Sequence, residues 1–149
     1  MAAEIESKYV CKYIPDNAKH PTNIKQGYIH IDKIKQVRIR LKNREAILCV
    51  KYMDGNYRDE FEAVLPYTEG EKLYSLCKYK VEKRRWQFVT QDGCHCDLDL
   101  YPSGVMVVEI ERPTVDYKPI LPDCVGECVD GVYKYTNYYL AGLQEDLYK

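Results

Sequence analysis

The residues best suited to do chemistry in this chain are charged side chains that recur two positions apart. Carboxylate oxygens are the ligands that Mg²⁺ and Mn²⁺ prefer, while lysine and arginine bind phosphate oxygens. A chain with both sets could hold a polyanion directly through its bases and indirectly through divalent cations. The acidic candidates are Glu4, Glu6, Glu60, Glu62, Asp97, Asp99, Glu109 and Glu111, and the basic candidates are Lys8, Arg38, Arg40, Lys51, Lys83 and Arg85.

The spacing of these charges predicts that strands position them. Side chains alternate between the two faces of a strand, so Arg38 and Arg40 share a face, opposite Ile39. One explanation is an ordinary sheet with a wet face and a core face. The alternative is a closed barrel with an ionic interior, whose charges must be paired or neutralised by ligand and metal. The wet-face sheet is the commoner cause of such alternation, and two features weaken that explanation: the polar positions are almost all charged, and the charges sort by sign from strand to strand.

Turn signals between the alternating segments predict a meander of antiparallel strands. Asp54-Gly55-Asn56, Asp92-Gly93 and Pro102-Ser103-Gly104 each separate two such segments. We therefore predict an α+β fold, an antiparallel β-barrel of about eight strands that forms a tunnel, with a few short flanking helices. A two-sheet sandwich is the alternative architecture.

Two segments carry helix signals instead. A capping box that begins at Thr68 predicts a helix over residues 72–77, with Leu73, Leu76 and Cys77 on its apolar face. Thr136 or Asn137 would cap a final helix over residues 138–148, and Leu140, Leu143 and Leu147 would form its apolar stripe.

Size and composition set the remaining expectations. A chain of 149 residues predicts a single domain over residues 1–149. The formal net charge of -1 does not suggest a nucleic-acid binder. The sequence has no apolar run of membrane-helix length and no signal-peptide pattern at its start, so we expect a cytoplasmic protein. Seven cysteines form an odd and scattered set without paired zinc spacing, and reduced thiols are the simplest interpretation.

Taken in order along the chain, these residues resemble the signature of the CYTH superfamily, also called triphosphate tunnel metalloenzymes. The hallmark E-x-E-x-K is similar to Glu4-Ile5-Glu6-Ser7-Lys8, and the R-x-R pair is similar to Arg38-Ile39-Arg40. The other resembling segments are Gln26-Gly27-Tyr28, residues 48–51, residues 58–62, Lys83-Arg84-Arg85, Asp97-Leu98-Asp99, Val108-Glu109-Ile110-Glu111, Gly126-Glu127 and residues 135–141. The match extends over nearly the whole chain and departs from the pattern at Cys49, where the family has threonine.

The resemblance implies an eight-stranded tunnel, a need for Mg²⁺ or Mn²⁺ with two ions bound, and action on a triphosphate. The implied metal ligands are Glu4, Glu6, Glu109 and Glu111, and the implied phosphate ligands are Lys8, Arg38, Arg40, Lys51, Lys83 and Arg85. Lys8, Glu6 and Glu111 are the expected catalytic residues. Asp97 and Asp99 could be further metal ligands or could hold the bases in place. Arg58, Glu60 and Glu62 are expected to support the site in one of these ways.

Three functions remain open at this point. The first is metal-dependent hydrolysis of inorganic tripolyphosphate or an organic triphosphate, and the second is a class IV type adenylyl cyclase on the same scaffold. The third is a non-catalytic module that binds polyphosphate or a nucleotide. The expected partner is a small-molecule triphosphate, with no membrane and no nucleic acid apart from an RNA 5′-triphosphate end. The chain would act as a monomer or homodimer.

Overall fold

The computed structural model describes residues 5–55 and 57–143, without the side chains of residues 57 and 58. This part of the chain forms nine strands, two α-helices and a short 3-10 helix. The strands are β1 (Glu6–Cys11), β2 (Thr22–Ile31), β3 (Lys35–Lys42), β4 (Glu45–Asp54), β5 (Tyr57–Leu65), β6 (Tyr79–Val89), β7 (His95–Leu100), β8 (Met106–Glu111) and β9 (Val125–Cys128). The helices are α1 (Tyr67–Leu76), the 3-10 helix Tyr133–Tyr135 and α2 (Asn137–Leu140).

The chain divides into two compact units, each built from two separate stretches of sequence. Unit 1 comprises Met1–Thr22 and Lys83–Val132, and unit 2 comprises Asn23–Glu82 and Tyr133–Lys149. In unit 1 the hydrogen-bonded strand order is β6-β7-β8-β1-β9, and in unit 2 it is β5-β4-β3-β2, with β6 next to β2. Strand β6 belongs to both units, because its residues 79–82 lie in unit 2 and its residues 83–89 in unit 1.

The predicted α+β class with an antiparallel sheet is confirmed, and the strand count differs from the prediction. Among the described residues there are nine strands rather than eight, and their hydrogen-bonded order begins with β5 and ends with β9. Strand β9 has only four residues and contains a glycine, so it carries no alternation to detect. The tunnel stays a prediction. The single domain over residues 1–149 stays a prediction.

The predicted turns are confirmed by the antiparallel pairs that they connect. Strand β4 pairs with β5, β6 with β7, and β7 with β8. Gly55, Gly93 and Gly104 have φ values of 59°, 89° and 91° in the three connections. These are left-handed conformations that favour glycine, which explains why the turn signals were reliable. Asn56, the last residue of the first turn signal, lies outside the described residues.

The strands of unit 1 carry an apolar face opposite their ionic face. Leu98, Val108 and Ile110 are fully buried in the core on that apolar side. Burial of a side chain of this size stabilises the fold by about 1.5–3 kcal/mol. All seven cysteines of the chain are free thiols, as expected from the sequence, and four of them pack in this core: Cys11, Cys94, Cys96 and Cys124.

In unit 2, helix α1 covers the apolar face of β3 and β4. Ile39 is fully buried, and its neighbours in that core include Ala46. The approach is close: a Cβ atom added to Gly70 would overlap the Cβ of Ala46, and one added to Gly27 would lie 2.6 Å from the Sγ of Cys77. Contacts this short cannot be accommodated without displacement, so glycine at both positions allows the helix to lie directly on the sheet.

Helix α1 begins before the capping box that predicted it. Its N-cap is Pro66 rather than Thr68, no side chain caps it, and the N–H of Gly70 donates to the carbonyl of Pro66 at 3.0 Å. The prediction that Leu76 belongs to the packed face is wrong, because that side chain is 82% exposed. Gly70 lies against β4, and a residue six positions later points about 120° away from that contact.

The final helix is shorter than predicted. Thr136 caps α2 as expected, and its hydroxyl accepts a hydrogen bond from the N–H of Tyr139 at 3.3 Å. The helix then ends at Leu140, and Gly142 adopts a left-handed φ of 107°, which is typical of a helix stop. Residues 144–148 of the predicted helix lie outside the described residues. Within the described part of the chain, no helix is both long enough and apolar enough to cross a bilayer.

Candidate active site

The pairing of antiparallel strands assembles the ionic face of unit 1. Glu6 on β1 pairs with Glu111 on β8, and Lys8 pairs with Glu109. Glu109 in turn pairs with Asp97 on β7. Directly paired residues share a face of the sheet, and alternation adds the remaining members. The structure thus brings together eight predicted site residues on this face: Glu6, Lys8, Lys83, Arg85, Asp97, Asp99, Glu109 and Glu111. Glu4, predicted as a metal ligand, lies outside the described residues.

A buried carboxylate holds two of the bases. Asp99 is 1% exposed and accepts hydrogen bonds from Arg85 Nε at 2.8 Å and from a terminal Arg85 nitrogen at 2.9 Å. The same carboxylate lies 2.9 Å from Lys83 Nζ. This arrangement fixes a planar guanidinium by two parallel contacts and an ammonium by a third. Because one carboxylate faces two cations, the three side chains together carry a net positive charge that suits an anionic ligand.

Burial and ion pairing act in opposite directions on these groups. Burial lowers the pKa of Lys83 to about 8, although Asp99 opposes the shift. Burial alone would raise the pKa of the Asp99 carboxyl, but Lys83 and Arg85 lower it to about 2. For Arg85, burial tends to lower the pKa, and the contacts with Asp99 more than compensate and raise it. The carboxylate and the guanidinium therefore stay charged at neutral pH, and the lysine does so with the smallest margin.

Sequence reasoning missed the surroundings of Asp97. His95 Nε2 lies 3.1 Å from Asp97 Oδ1, and the amide of Gln87 donates to the same oxygen at 3.0 Å. Arg85 is further away, at 3.6 Å. Residues 95, 97 and 99 alternate on one strand, and that signal could have placed His95 on this face. Gln87 requires knowledge of the pairing between β6 and β7.

The carboxylates near β1 are more open to water than Asp99. Lys8 Nζ lies 3.9 Å from Glu109 Oε1, with side-chain exposures of 20% and 19%. Glu6 and Glu111 are exposed and paired with each other across β1 and β8. Three accessible carboxylates on two adjacent strands form a hard-oxygen donor set, which fits Mg²⁺ or Mn²⁺. The backbone N–H of Lys8 donates to Asp130 at 2.7 Å, a contact that the sequence did not predict.

Unit 2 carries the other predicted bases on one face of its own. Arg38 pairs with Cys49, and Cys49 pairs with Glu62 on β5. Lys51 pairs with Glu60 in the next row of the same face. The predicted residues that this face brings together are Arg38, Arg40, Lys51, Glu60 and Glu62. The backbone of Arg58 lies in β5, and its side chain is outside the description.

Two buried polar atoms on this face have no hydrogen-bond partner among the described residues. They are the Nε of Arg38, a donor, and the Oε1 of Gln26, an acceptor. Gln26 pairs with Arg40 across β2 and β3, so both atoms lie on the ionic face. An unmatched buried polar group costs about 1–3 kcal/mol. The face is therefore better satisfied with a polar ligand that offers acceptor oxygens to the guanidinium.

Two known proteins are similar to this chain over most of its length. The chain is 32% identical to an inorganic triphosphatase of Nitrosomonas europaea over 146 residues, which covers 93% of this chain and 96% of the relative. It is 33% identical to an inorganic triphosphatase of Acetivibrio thermocellus over 146 residues, with 92% of each chain covered. The chain belongs to the inorganic triphosphatase family of the CYTH superfamily. No protein-family model matches the chain.

The solved structures agree with this membership in the inorganic triphosphatase family. The crystal structure of the inorganic triphosphatase NE1496 superposes with a TM-score of 0.74 at 29% identity and covers 95% of both chains. The resemblance inferred from the ordered motifs is thereby confirmed. Since the match covers almost all of both chains, it includes the strands of unit 1 and of unit 2 that carry the ionic faces.

Proposed function

We propose that this protein hydrolyses a triphosphate at a terminal phosphoanhydride bond, with inorganic tripolyphosphate as the first candidate substrate and an organic triphosphate as the second. The observation that carries this proposal is the alignment with two inorganic triphosphatases over more than nine-tenths of the chain. The chain also retains paired acids and bases along its strands, which is the donor set that such a reaction needs. Phosphoryl transfer asks a protein mainly for positioning and charge stabilisation, so no Ser-His-Asp arrangement is required.

The bases are proposed to bind the phosphates: Lys8, Arg38, Arg40, Lys51, Lys83 and Arg85. The unmatched Nε of Arg38 supports this role, because phosphate oxygens are acceptors. The cationic pair around Asp99 supports it in unit 1, since Lys83 and Arg85 exceed the charge of the carboxylate between them. Of the two roles open for Asp99, its burial and its contacts favour positioning of the bases over metal binding. For Asp97, both roles stay open.

The carboxylates Glu4, Glu6, Glu109 and Glu111 are proposed to hold Mg²⁺ or Mn²⁺, with two ions in the site. When bound, such ions neutralise phosphate charge and lower the pKa of a coordinated water. Glu6 and Glu111 are exposed and paired, and both can also accept a hydrogen bond from a water molecule beside a phosphate. Lys8, held near Glu109, would place its ammonium against the charge that develops on the transferred phosphoryl group.

The test measures free phosphate and cyclic AMP from tripolyphosphate and, separately, from ATP, in Mg²⁺, in Mn²⁺ and without metal. We expect metal-dependent phosphate release from tripolyphosphate. Glu6→Gln and Lys8→Ala should each abolish it while the circular dichroism spectrum is unchanged. Glu71→Gln and Lys12→Ala are matched controls at exposed positions and should retain turnover.

Each other outcome identifies an alternative. Cyclic AMP from ATP would assign the protein to the cyclase branch. Tight binding of tripolyphosphate with no product would indicate the non-catalytic binding module. Full activity in both Glu6→Gln and Lys8→Ala would refute the site assignment even if the wild-type protein is a triphosphatase. A cytoplasmic location and a monomer or homodimer are proposed alongside this function, and size-exclusion chromatography with light scattering tests the oligomeric state.

A further inference from the structure

A thiol and two carboxylates meet on the ionic face of unit 2. Cys49 on β4 pairs directly with Glu62 on β5, and Glu60 lies two residues along the same strand on the same face. The thiol sulfur and one carboxylate oxygen from each glutamate all lie within 4.8 Å of one another. Three donor atoms from three side chains thus converge on paired strands, where the backbone holds their spacing.

The spacing of these donors fits a tetrahedral metal ion. Cys49 Sγ lies 3.5 Å from Glu60 Oε1. Zinc bonds of about 2.3 Å to sulfur and about 2.0 Å to oxygen, at a tetrahedral angle, separate the two ligand atoms by about 3.5 Å. The Cys49 side chain is buried and Glu62 is exposed. The cluster is therefore open to solvent at Glu62 and buried at the sulfur.

The group next to the sulfur is suited to a thiolate. Arg38 pairs with Cys49, and its buried Nε has no hydrogen-bond partner among the residues described. Metal-bound ligands are commonly stabilised by such outer donors. A metal ion binds cysteine as the thiolate, so binding at Cys49 would displace the thiol proton.

We propose that Cys49, Glu60 and Glu62 bind a thiophilic divalent cation of the zinc class. The metal–sulfur bond forms as the S–H bond breaks, the proton leaves to solvent, and neither the metal nor the sulfur changes oxidation state. Thiolate favours Zn²⁺ or Cd²⁺ over Mg²⁺, whereas the carboxylates Glu6 and Glu111 of unit 1 favour the hard cation. Water completes the coordination. The three ligands need no triphosphate, but Arg38 beside them is also a proposed phosphate ligand, so metal binding and hydrolysis are measured separately.

The experiment titrates the full-length protein with Cd²⁺ in excess Mg²⁺, which occupies sites made only of carboxylates. The readout is the ultraviolet charge-transfer absorption of a cadmium–thiolate bond, together with the proton released per ion bound. We expect one saturable band in the wild-type protein. Cys49→Ser should remove it, and Glu60→Gln, which keeps the thiol, should weaken binding by about tenfold or more. Cys128→Ser is the matched control, because Cys128 is the exposed cysteine of the chain.

The outcomes separate this site from the other thiols. Retention of the band in Cys128→Ser and its loss in Cys49→Ser support the proposal, provided that circular dichroism shows both variants folded. An unchanged titration in Cys49→Ser, loss of the band in Cys128→Ser, or equal affinity in Glu60→Gln and wild type would each overturn it. Phosphate release by Cys49→Ser distinguishes the two proposals, since loss of cadmium binding with retained hydrolysis would leave the triphosphatase assignment intact.

Discussion

Replacement of Asp99 by asparagine removes the charge from the centre of the ionic face of unit 1 while it preserves side-chain shape. In the native protein the Lys83 and Asp99 side chains are 1% and 2% exposed, and their charged atoms lie 2.9 Å apart. Arg85 also loses its bidentate acceptor. Breaking a buried pair by removing one partner costs about 3–5 kcal/mol, because the remaining charge stays in a poorly solvated place. We therefore expect Asp99→Asn to fold with a much lower free energy of unfolding.

Urea unfolding, followed by circular dichroism, measures this cost. With a slope of about 2 kcal/mol per molar urea, the expected loss shifts the midpoint down by about 1.5–2.5 M. Asp97→Asn is the matched control, since Asp97 is 22% exposed and its nearest arginine nitrogen is 3.6 Å away. A partly exposed pair of that kind contributes about 1 kcal/mol or less. Equal urea midpoints in the two variants would refute the conclusion that the Asp99 carboxylate stabilises the fold more than the Asp97 carboxylate does.

The pH dependence of the same variant gives a second check. The pKa of Asp99 in the folded protein is lowered to about 2, against an ordinary value of 3.8. A carboxyl with a lowered folded pKa stabilises the protein above its unfolded pKa, and that contribution is lost as the pH falls through the folded pKa. The difference between wild type and Asp99→Asn should therefore shrink between about pH 4 and pH 2. A difference that persists unchanged to pH 2 would contradict the charge-based explanation.

Three further perturbations test other parts of the structure. Burial lowers the pKa of Lys83 from 10.5 to about 8, so the unfolded chain binds more protons than the folded protein between these pH values. The free energy of unfolding should therefore rise from pH 8 to pH 10.5. Urea titrations at a series of pH values should show a smaller rise for Lys83→Met. The hydroxyl groups of Thr90 and Tyr117 each donate to Asp92 at 2.6 Å and lower the pKa of its carboxyl to about 2. Asp92→Asn should therefore lower the Tm at pH 7, and the difference should shrink toward pH 2. Gly70→Ala should lower the Tm because the new methyl group overlaps Ala46. A second substitution in the same chain, Ala46→Gly, should restore the Tm. If the Tm is not restored, this contact is not the cause of the loss.

The faces of the strands could be predicted because alternation is a local property. Arg38 and Arg40 lie opposite buried Ile39, as the sequence indicated, and Asp97 and Asp99 lie on one face. In each case a period of two residues fixes the relative direction of the side chains before any tertiary structure is known. Such patterns therefore predicted the members of each ionic face, and the positive φ values of the turn glycines explain why the strand ends were also predictable.

Features that depend on contacts between distant segments were not predictable. Leu76 looked like part of an apolar helix face, but the face that packs is the one that contains Gly70. The position of Gln87 beside Asp97 depends on the register between β6 and β7. The two roles left open for Asp99 could be weighed only after Lys83 was found within hydrogen-bonding distance. The sequence shows which residues are charged, but the partner of each charge is known only from the folded structure.

The direct contact between α1 and the sheet bears on how readily unit 2 can capture an anion. Gly27 and Gly70 allow a close approach at that boundary, and a core packed this tightly has little compressibility. Arg38 and Arg40 project from β3, whose other face lies under the helix. Because the helix packs against the other face of β3, the backbone that carries the two guanidinium groups is already ordered before a ligand binds. The entropy cost of ordering this backbone is therefore part of folding and not of ligand binding. A homologue with a looser boundary could keep every charge and still bind its anion more weakly.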